Sequence, residues 1–496
     1  MNGGSQDLEN PRPFGPRLLS LLKELGIPAD QLPSRDDADR VYEDMGLREG
    51  IHLDQKTFGT EALIIDRTDW SWARKLAGVS LPDAVKRDII ELEEGTDNPW
   101  PGLTDAVRKD RLSRMSYRDF LLSVRHVDAR TPAFYDGRTK DLWATGIDAV
   151  SALDAWGVGM PGFQGLRLTP RATTRMGNTP SGYAEHGGSA DTGGQRKVHL
   201  PDGNASVARA LLRTLIPAAV HGATYDDLVN VPVRYAGLDE PGATAQLRLS
   251  ATAVKVVNSA GVRGGVEVTY VRGHDGFSVA ARHCVLACYN AIIPYLCPSL
   301  PRAQIQALHS TTRAPLVYAS VALRSWVPFV RAGVFRIHAP SAAFPFLWLN
   351  EPTSVGGYAT PEAPEHPVLL HMTAMPCAPG RSELDQHRAG RAELLATPFS
   401  TFEAHISEQL AAIFGASGFD PVRDITAITI NRWPHGYAHE HNSLFDADVP
   451  EHQRPHVIGR QRHGNIVIAN SDAGAAAYVE SAVEQAYRAV SELKVV

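Results

Sequence analysis

Apolar positions recur along this chain with two periods. Leu18, Leu19, Leu22 and Leu25 share one face at three-and-four spacing, which predicts a helix over Pro16–Leu25 ended by Gly26. Val479, Ala482, Val483, Ala486, Val490 and Leu493 predict a C-terminal helix by the same spacing, and a further helical pattern covers Asn204–Leu215. Strand patterns fall at Gln246–Val257, Val266–Val271 and Arg282–Ala287, inside a β-rich block from Leu228 to Ala287. A short buried strand is expected at Asn465–Asn470. Between these lie a mixed helical region reaching to about residue 155 and a Pro-rich, irregular segment from Ala339 to Pro367. Arg171–Lys197 is dense in Gly, Ser and Thr and predicts an exposed loop, while Gly261-Val262-Arg263-Gly264-Gly265 predicts a turn joining two strands.

The 496 residues suffice for two or three domains, and 43% hydrophobic with 21% charged residues is the balance of a globular protein. A net charge of −6 gives no basic surface for nucleic acid or an anionic membrane. No apolar stretch reaches the roughly 18 residues of a membrane span, and the N-terminus lacks the basic-then-apolar order of a signal peptide. The expected location is the cytoplasm, or the periplasm if an upstream segment or a partner carries an export signal. Cys284, Cys288 and Cys297 cluster, with Cys377 apart, but no second Cys or His pair follows at zinc spacing. They read as core thiols, and no metal is expected.

Two segments carry candidate chemistry. The strand at Asn465–Asn470 runs into a helix through Ser471-Asp472-Ala473-Gly474-Ala475-Ala476-Ala477. Small residues and free backbone N–H groups at a helix start favour an anion or a polar cofactor edge, with Asp472 able to accept from cofactor hydroxyls. Ser471 or Asp472 as a simple helix cap accounts for the same residues. The second segment is Asn431-Arg432-Trp433-Pro434-His435-Gly436-Tyr437-Ala438-His439-Glu440-His441. Its mixture of aromatics, glycine and histidines, without periodicity, suggests a lined cavity suited to alkylammonium groups. His435 is a candidate acid or base. His439 and His441 would face one side of a strand, without a third ligand for a metal. A Gly-x-Gly-x-x-Gly turn between strand and helix is absent from the sequence.

These motifs, with Pro201-Asp202-Gly203-Asn204-Ala205-Ser206, Gly459-Arg460-Gln461-Arg462 and Ile468-Ala469-Asn470-Ser471-Asp472-Ala473-Gly474-Ala475-Ala476-Ala477-Tyr478, resemble the bacterial spermidine dehydrogenase group of the flavin amine oxidases. The resemblance runs from about Gly3 to Leu493. It implies a mixed α/β fold: a Rossmann-like FAD-binding domain from residues 1–26, 198–300 and 455–496, lacking its first βαβ unit, and a substrate domain of mixed sheet and helices from 27–197 and 301–454. Carried over by position, Asp472 would meet the ribityl chain. Ala473, Gly474, Ala475 and Tyr478 would lie near the flavin ring, Val254 near the adenine, and the Gly3-Gly4 pair against the isoalloxazine. Trp433, Tyr437, His439 and His441 would line the amine site, although relatives carry tyrosines where His439 and His441 stand. Arg313 falls where relatives place a lysine near flavin N5, and an arginine cannot act there as a base.

The resemblance implies FAD-dependent oxidation of an amine C–N bond, giving an imine and then an aldehyde, on a polyamine or a specialised biosynthetic amine. The absent βαβ unit would come from a second polypeptide, or its absence reflects a truncated or misassigned start. The contrasting expectation is a non-catalytic descendant of the fold, acting as a scaffold or binding subunit.

Overall fold

The structure is a computed structural model and describes residues 3–29, 32, 34–179, 197–259, 264–360 and 363–494. Residues 180–196 of the expected exposed loop and 261–263 of the expected turn lie outside the described residues.

A seven-stranded mixed sheet is assembled from β2 (Arg48–Leu53), β3 (Ala62–Ile65), β9 (Ala314–Leu323), β10 (Val334–His338), β11 (Phe346–Leu349), β14 (Val368–Ala374) and β15 (Ile425–Tyr437). The strand order is β15-β9-β14-β11-β10-β2-β3, with β10 and β2 parallel and the other neighbours antiparallel. All but one of the β9 residues are buried, as a near-continuous apolar strand should be. Val317, Val321 and Leu323 of β9 share a core with Phe402, Ile406, Leu410 and Phe414 of the helix Phe399–Phe414. Each such side chain contributes about 1.5–3 kcal/mol. A second core gathers helical residues around stacked Phe120 and Phe163, whose ring centroids are 4.5 Å apart. A third joins Leu18 and Leu22 of the helix Pro16–Glu24 to Val207 and Ala210, with Val479 and Val483 packed against it.

The smaller sheets are short. β1 (Asp7–Leu8) pairs with β4 (Val198–His199), and β12 (Ser354–Val355) with β13 (Tyr358–Ala359). A three-stranded antiparallel meander, β5 (Ala251–Asn258), β6 (Val266–Arg272) and β7 (Asp275–Ala281), packs Val256 and Val266 onto a two-stranded parallel sheet of β8 (Cys284–Leu286) and β16 (Ile466–Ile468). Asn258 ties β5 to the β16 side, donating to His463 O and accepting from Asn465 N. The sheet order then carries β6 and β7 away from β16. Among the described residues β8 pairs with β16 alone, and Val285, Phe277 and Val279 are exposed. Two short parallel strands normally need further strands beside them, because parallel sheets are usually buried on both faces.

Several expectations need correction. The region reaching residue 155 is not only helical: it contributes β2 and β3 to the large sheet. The strand expected from Gln246 starts at Ala251, where Ser250 turns the chain at φ 54°. The β-rich block does not begin at Leu228, which ends the short helix Tyr225–Leu228. The segment Ala339–Pro367 holds β11. No helix among the described residues is long and apolar enough to cross a membrane.

Candidate functional site

The parallel pair β8–β16 delivers two chain ends to one place, the position where open α/β sheets bind ligands. Asn470, just past β16, donates from Nδ2 to Cys288 O at 2.5 Å and to Asn290 Oδ1 at 3.0 Å, and its Oδ1 accepts from Ala473 N. Asp472 Oδ2 accepts from Asn290 N at 2.8 Å. These bonds fix a tight turn, Asp472–Gly474, after which Ala475 sits in the left-handed region at φ 48°. Arg460 Nη1 holds the turn from outside by donating to Ala473 O at 2.7 Å. A Cβ on Gly474 would come within 2.1 Å of Ser481 Oγ, so the absent side chain is what lets the turn rest on the helix Val479–Lys494.

The aromatic segment is mostly the edge strand β15, and His441 at its end lines the cavity beside the turn. Its register with β9 breaks between Trp433↔Leu316 and Tyr437↔Ala314, so Pro434, His435 and Gly436 bulge against the single residue Pro315. The bulge turns three carbonyls out of the ladder, and two arginines take them. Arg391 Nε donates to Pro434 O at 2.7 Å, while Arg313 donates from Nε to His435 O and from Nη2 to Gly436 O. Arg313 Nη1 also reaches Asp472 Oδ1 at 2.7 Å and Ser471 Oγ at 3.3 Å. Both Asp472 oxygens and the whole Arg313 fork therefore have partners inside the chain. The His435 ring stacks on Tyr289 at 4.4 Å, and burial, then the Arg391 and Arg313 charges, lower its pKa.

The remaining predicted residues separate. Trp433, 44% exposed, packs over the N-terminal glycines: its Nε1 donates to Gly3 O, and a Cβ on Gly4 would meet its ring at 3.1 Å. Gly3 lies against Asn431 in the same way. Tyr437 packs against a core with Ala314, Leu316 and Trp348. Val254 occupies the bulge between Ala253 and Lys255 on β5 and is exposed. His439 and His441 lie beyond the end of β15, so they do not share a strand face, and both approach Asp446. Among the described residues no group of three or more His, Cys, Asp or Glu side chains is arranged to hold a metal.

Beside the turn lies a cavity of about 610 Å³. Gly474 and Ala475 form one wall; His441, Asn178, Thr174, Arg454 and His456 contribute to the others. Behind His441 sits a set of acids and bases that the sequence did not single out. His439 Nε2 is 2.9 Å from Asp446 Oδ2, and its Nδ1 is 4.0 Å from Glu383 Oε2. Burial works to lower the His439 pKa, but the Asp446 hydrogen bond and the Glu383 and Asp446 charges override it and raise it to about 9. Burial raises Glu383 to about 7 against the pull of His439. Burial likewise raises Glu440 to about 7, although it accepts from Ala477 N at 3.0 Å and from the Asn178 N–H. Glu440 thus ties the residue 173–178 loop to the start of the C-terminal helix. Asp154, raised to about 6 by burial, holds the same loop through Gly177 N at 2.7 Å. Groups poised around neutrality can exchange protons at physiological pH. Glu440 between two histidines was the one visible signal for this set; Glu383, Asp154 and Asp446 carry none in sequence.

No family model matches this sequence, and no curated protein matches it. The fold does have counterparts among solved structures. A putrescine oxidase double mutant from a structure-based redesign of cofactor binding superposes with a TM-score of 0.54 at 15% identity, covering 99% of this chain and 88% of that one. Wild-type putrescine oxidase bound to putrescine superposes with a TM-score of 0.53 at 14% identity, covering 98% of this chain and 87% of that one. At such identities the likeness is one of fold: the chain has the mixed α/β architecture of those structures over nearly its whole length.

Proposed function

We propose that this protein is an FAD-dependent oxidoreductase that oxidises the C–N bond of a small amine. The observation that carries this reading is the Asn470–Ala475 turn. It stands at the carboxyl ends of two parallel strands and forms a wall of the 610 Å³ cavity, within the fold of putrescine oxidase. Polyamines are the first amines to test, since the sequence resembles spermidine dehydrogenases.

The residues fit one end of an FAD. Gly474 and Ala475 offer a backbone wall without bulky side chains, and the cavity is within the size range of small-molecule sites. A pyrophosphate-binding Gly-x-Gly-x-x-Gly turn does not occur in the sequence. In this reading a further strand–turn–helix unit docks on the edge of β8 that is unpaired among the described residues, and brings that turn with it. A bound flavin would supply the two-electron acceptor for the amine.

The chain's own residues supply position. Arg313 and Arg460 hold the turn from two sides. Glu440 and Asp154 fix the residue 173–178 loop that forms part of the cavity wall, through Ala477, Asn178 and Gly177. Arg313 serves as a positioning residue, with its guanidinium engaged by Asp472 and the bulge carbonyls.

A second reading has its own observation: Asp472, the expected ribityl partner, has both oxygens bonded within the chain. That favours a scaffold or binding protein that keeps the fold without the cofactor. Visible absorbance of the purified protein, before and after incubation with FAD and desalting, separates the two. A retained flavin spectrum that bleaches anaerobically on adding an amine supports the oxidoreductase. A folded chain that stays colourless and ignores FAD rejects it. Bound flavin that no polyamine, monoamine or cyclic amine reduces moves the function away from amines.

A further inference from the structure

We propose that the cavity takes an amine that also carries an anionic group, a carboxylate, and that Arg454 receives that group. The inference rests on the oxidoreductase reading, with Gly474 and Ala475 facing the flavin and the Arg454 side of the same cavity taking the amine, and names the class of amine.

Among the described residues no Phe, Tyr or Trp lines the cavity. A plain dicationic amine is usually held by aromatic faces or by free carboxylates, and the described walls offer none of the first. Two acids line the cavity, Asp448 and Glu451. Asp448 is already neutralised by Arg175, whose Nη1 lies 3.1 Å away and whose other nitrogens donate to Ser113 Oγ and Ser443 O. Glu451 is exposed and starts a turn at the rim, where it can meet the ammonium end of a ligand.

Arg454 is placed differently. It lines the cavity, its Nη2 donates to Thr174 O at 3.1 Å, and it makes no ion pair among the described residues. Its Nε is buried without a hydrogen-bond partner. A guanidinium carries five donors in a planar fork, and one carbonyl leaves most of that capacity unused. Such a fork in a cavity wall matches a carboxylate, which it can bind through two parallel hydrogen bonds. The neighbours support an anion as well. His456, also on the wall, is pushed down to about 4 by burial and then by Arg460 and Arg454, so it stays neutral beside them. His441 is lowered by burial despite Asp446, with Arg454 and Arg175 contributing. The charge on this wall is therefore the guanidinium's, with Asn178, Thr173 and Thr174 offering further polar contacts.

Putrescine and ornithine differ by one carboxylate and make the direct test. Calorimetric titration of the full-length protein should show ornithine binding at least about tenfold tighter than putrescine. Arg454→Gln should abolish that preference, and Arg454→Lys should keep part of it, with unchanged circular dichroism in both, because the side chain makes a single hydrogen bond. O-phosphoethanolamine, run alongside, tells carboxylate from phosphate: tighter binding of the phosphate overturns the carboxylate assignment. Equal binding of putrescine and ornithine, or a preference that survives Arg454→Gln, overturns the proposal while leaving flavin-dependent amine oxidation standing. Loss of bound flavin in Arg454→Gln also overturns it, by assigning Arg454 to the cofactor. Arg454-dependent ornithine binding in a chain that takes up no FAD supports the anion site and rejects the oxidoreductase instead.

Discussion

Arg313 and Asp472 form an ion pair with Nη1 and Oδ1 2.7 Å apart, and the same guanidinium caps the carbonyls of His435 and Gly436. One side chain thus joins the β15 bulge to the turn at the end of β16, two features more than 30 residues apart in sequence.

Removing Arg313 should therefore cost more than a surface ion pair would. Both side chains are largely buried, at 18% and 5% exposure. Arg313→Ala leaves Asp472 with the Asn290 N–H alone and strands two carbonyls. The expected loss is about 3–5 kcal/mol in urea unfolding. Arg313→Lys keeps the charge but not the fork and should recover only part. A loss below about 1 kcal/mol for the alanine variant would show the pair to be dispensable.

His439 should be the histidine that holds its proton longest. Nitrogen-15 NMR of the imidazole rings should show it titrating near pH 9, with His387 and His456 neutral down to about pH 4. A raised folded-state pKa stabilises fully below the ordinary value of 6.5 and loses that contribution as pH rises to about 9. The unfolding free-energy gap between wild type and His439→Gln should accordingly stay level below pH 6.5 and narrow up to pH 9. In Asp446→Asn the His439 pKa should fall, leaving the Glu383 charge to oppose burial.

How far these features could be read beforehand depends on whether they are local. The helix Val479–Lys494 and the β16 strand showed in periodicity, because each buries one face or one short apolar run. The acid at the strand end showed because Asp472 follows the strand directly. By contrast, the Pro434–Gly436 bulge is fixed by Pro315 and by arginines at 313 and 391, which no local pattern links to it. The same bulge defeats the reading of His439 and His441 as alternating strand residues: the ladder ends at Tyr437, and both rings turn to Asp446. The cavity escaped notice for a related reason. Much of its wall is the loop 173–178 and the segment 448–456, a single 3₁₀ turn and the start of the five-residue helix Pro455–Gly459, both too short to show a period.

Asp154 should make the protein more sensitive to rising pH. Burial raises its pKa to about 6, despite the Ser151 hydroxyl and the Gly177 N–H. For an acid shifted upward, the stabilisation is present below its ordinary value of 3.8 and is lost as pH climbs through 6. Asp154→Asn removes the buried charge, so the variant should gain on wild type by on the order of 2–3 kcal/mol above pH 6. The gap should close near pH 4. A gap independent of pH between 4 and 7 would mean the carboxyl is ionised throughout.

Gly474 offers a test of how closely the turn rests on the C-terminal helix. A Cβ there would lie 2.1 Å from Ser481 Oγ and 3.4 Å from Gln485 Nε2, so a single side-chain oxygen is the obstacle. Gly474→Ala alone should cost about 1–3 kcal/mol as an overpacking change. Gly474→Ala with Ser481→Ala should recover most of it, a coupling that a double-mutant cycle by thermal unfolding can measure. Gly390→Ala is the contrast, because its Cβ would meet the Pro376 carbonyl oxygen at 1.7 Å, and no side-chain truncation can move a backbone atom. If the Ser481 change gives no rescue, the obstacle at Gly474 is the backbone path of the turn and not the side chain of the helix beneath it.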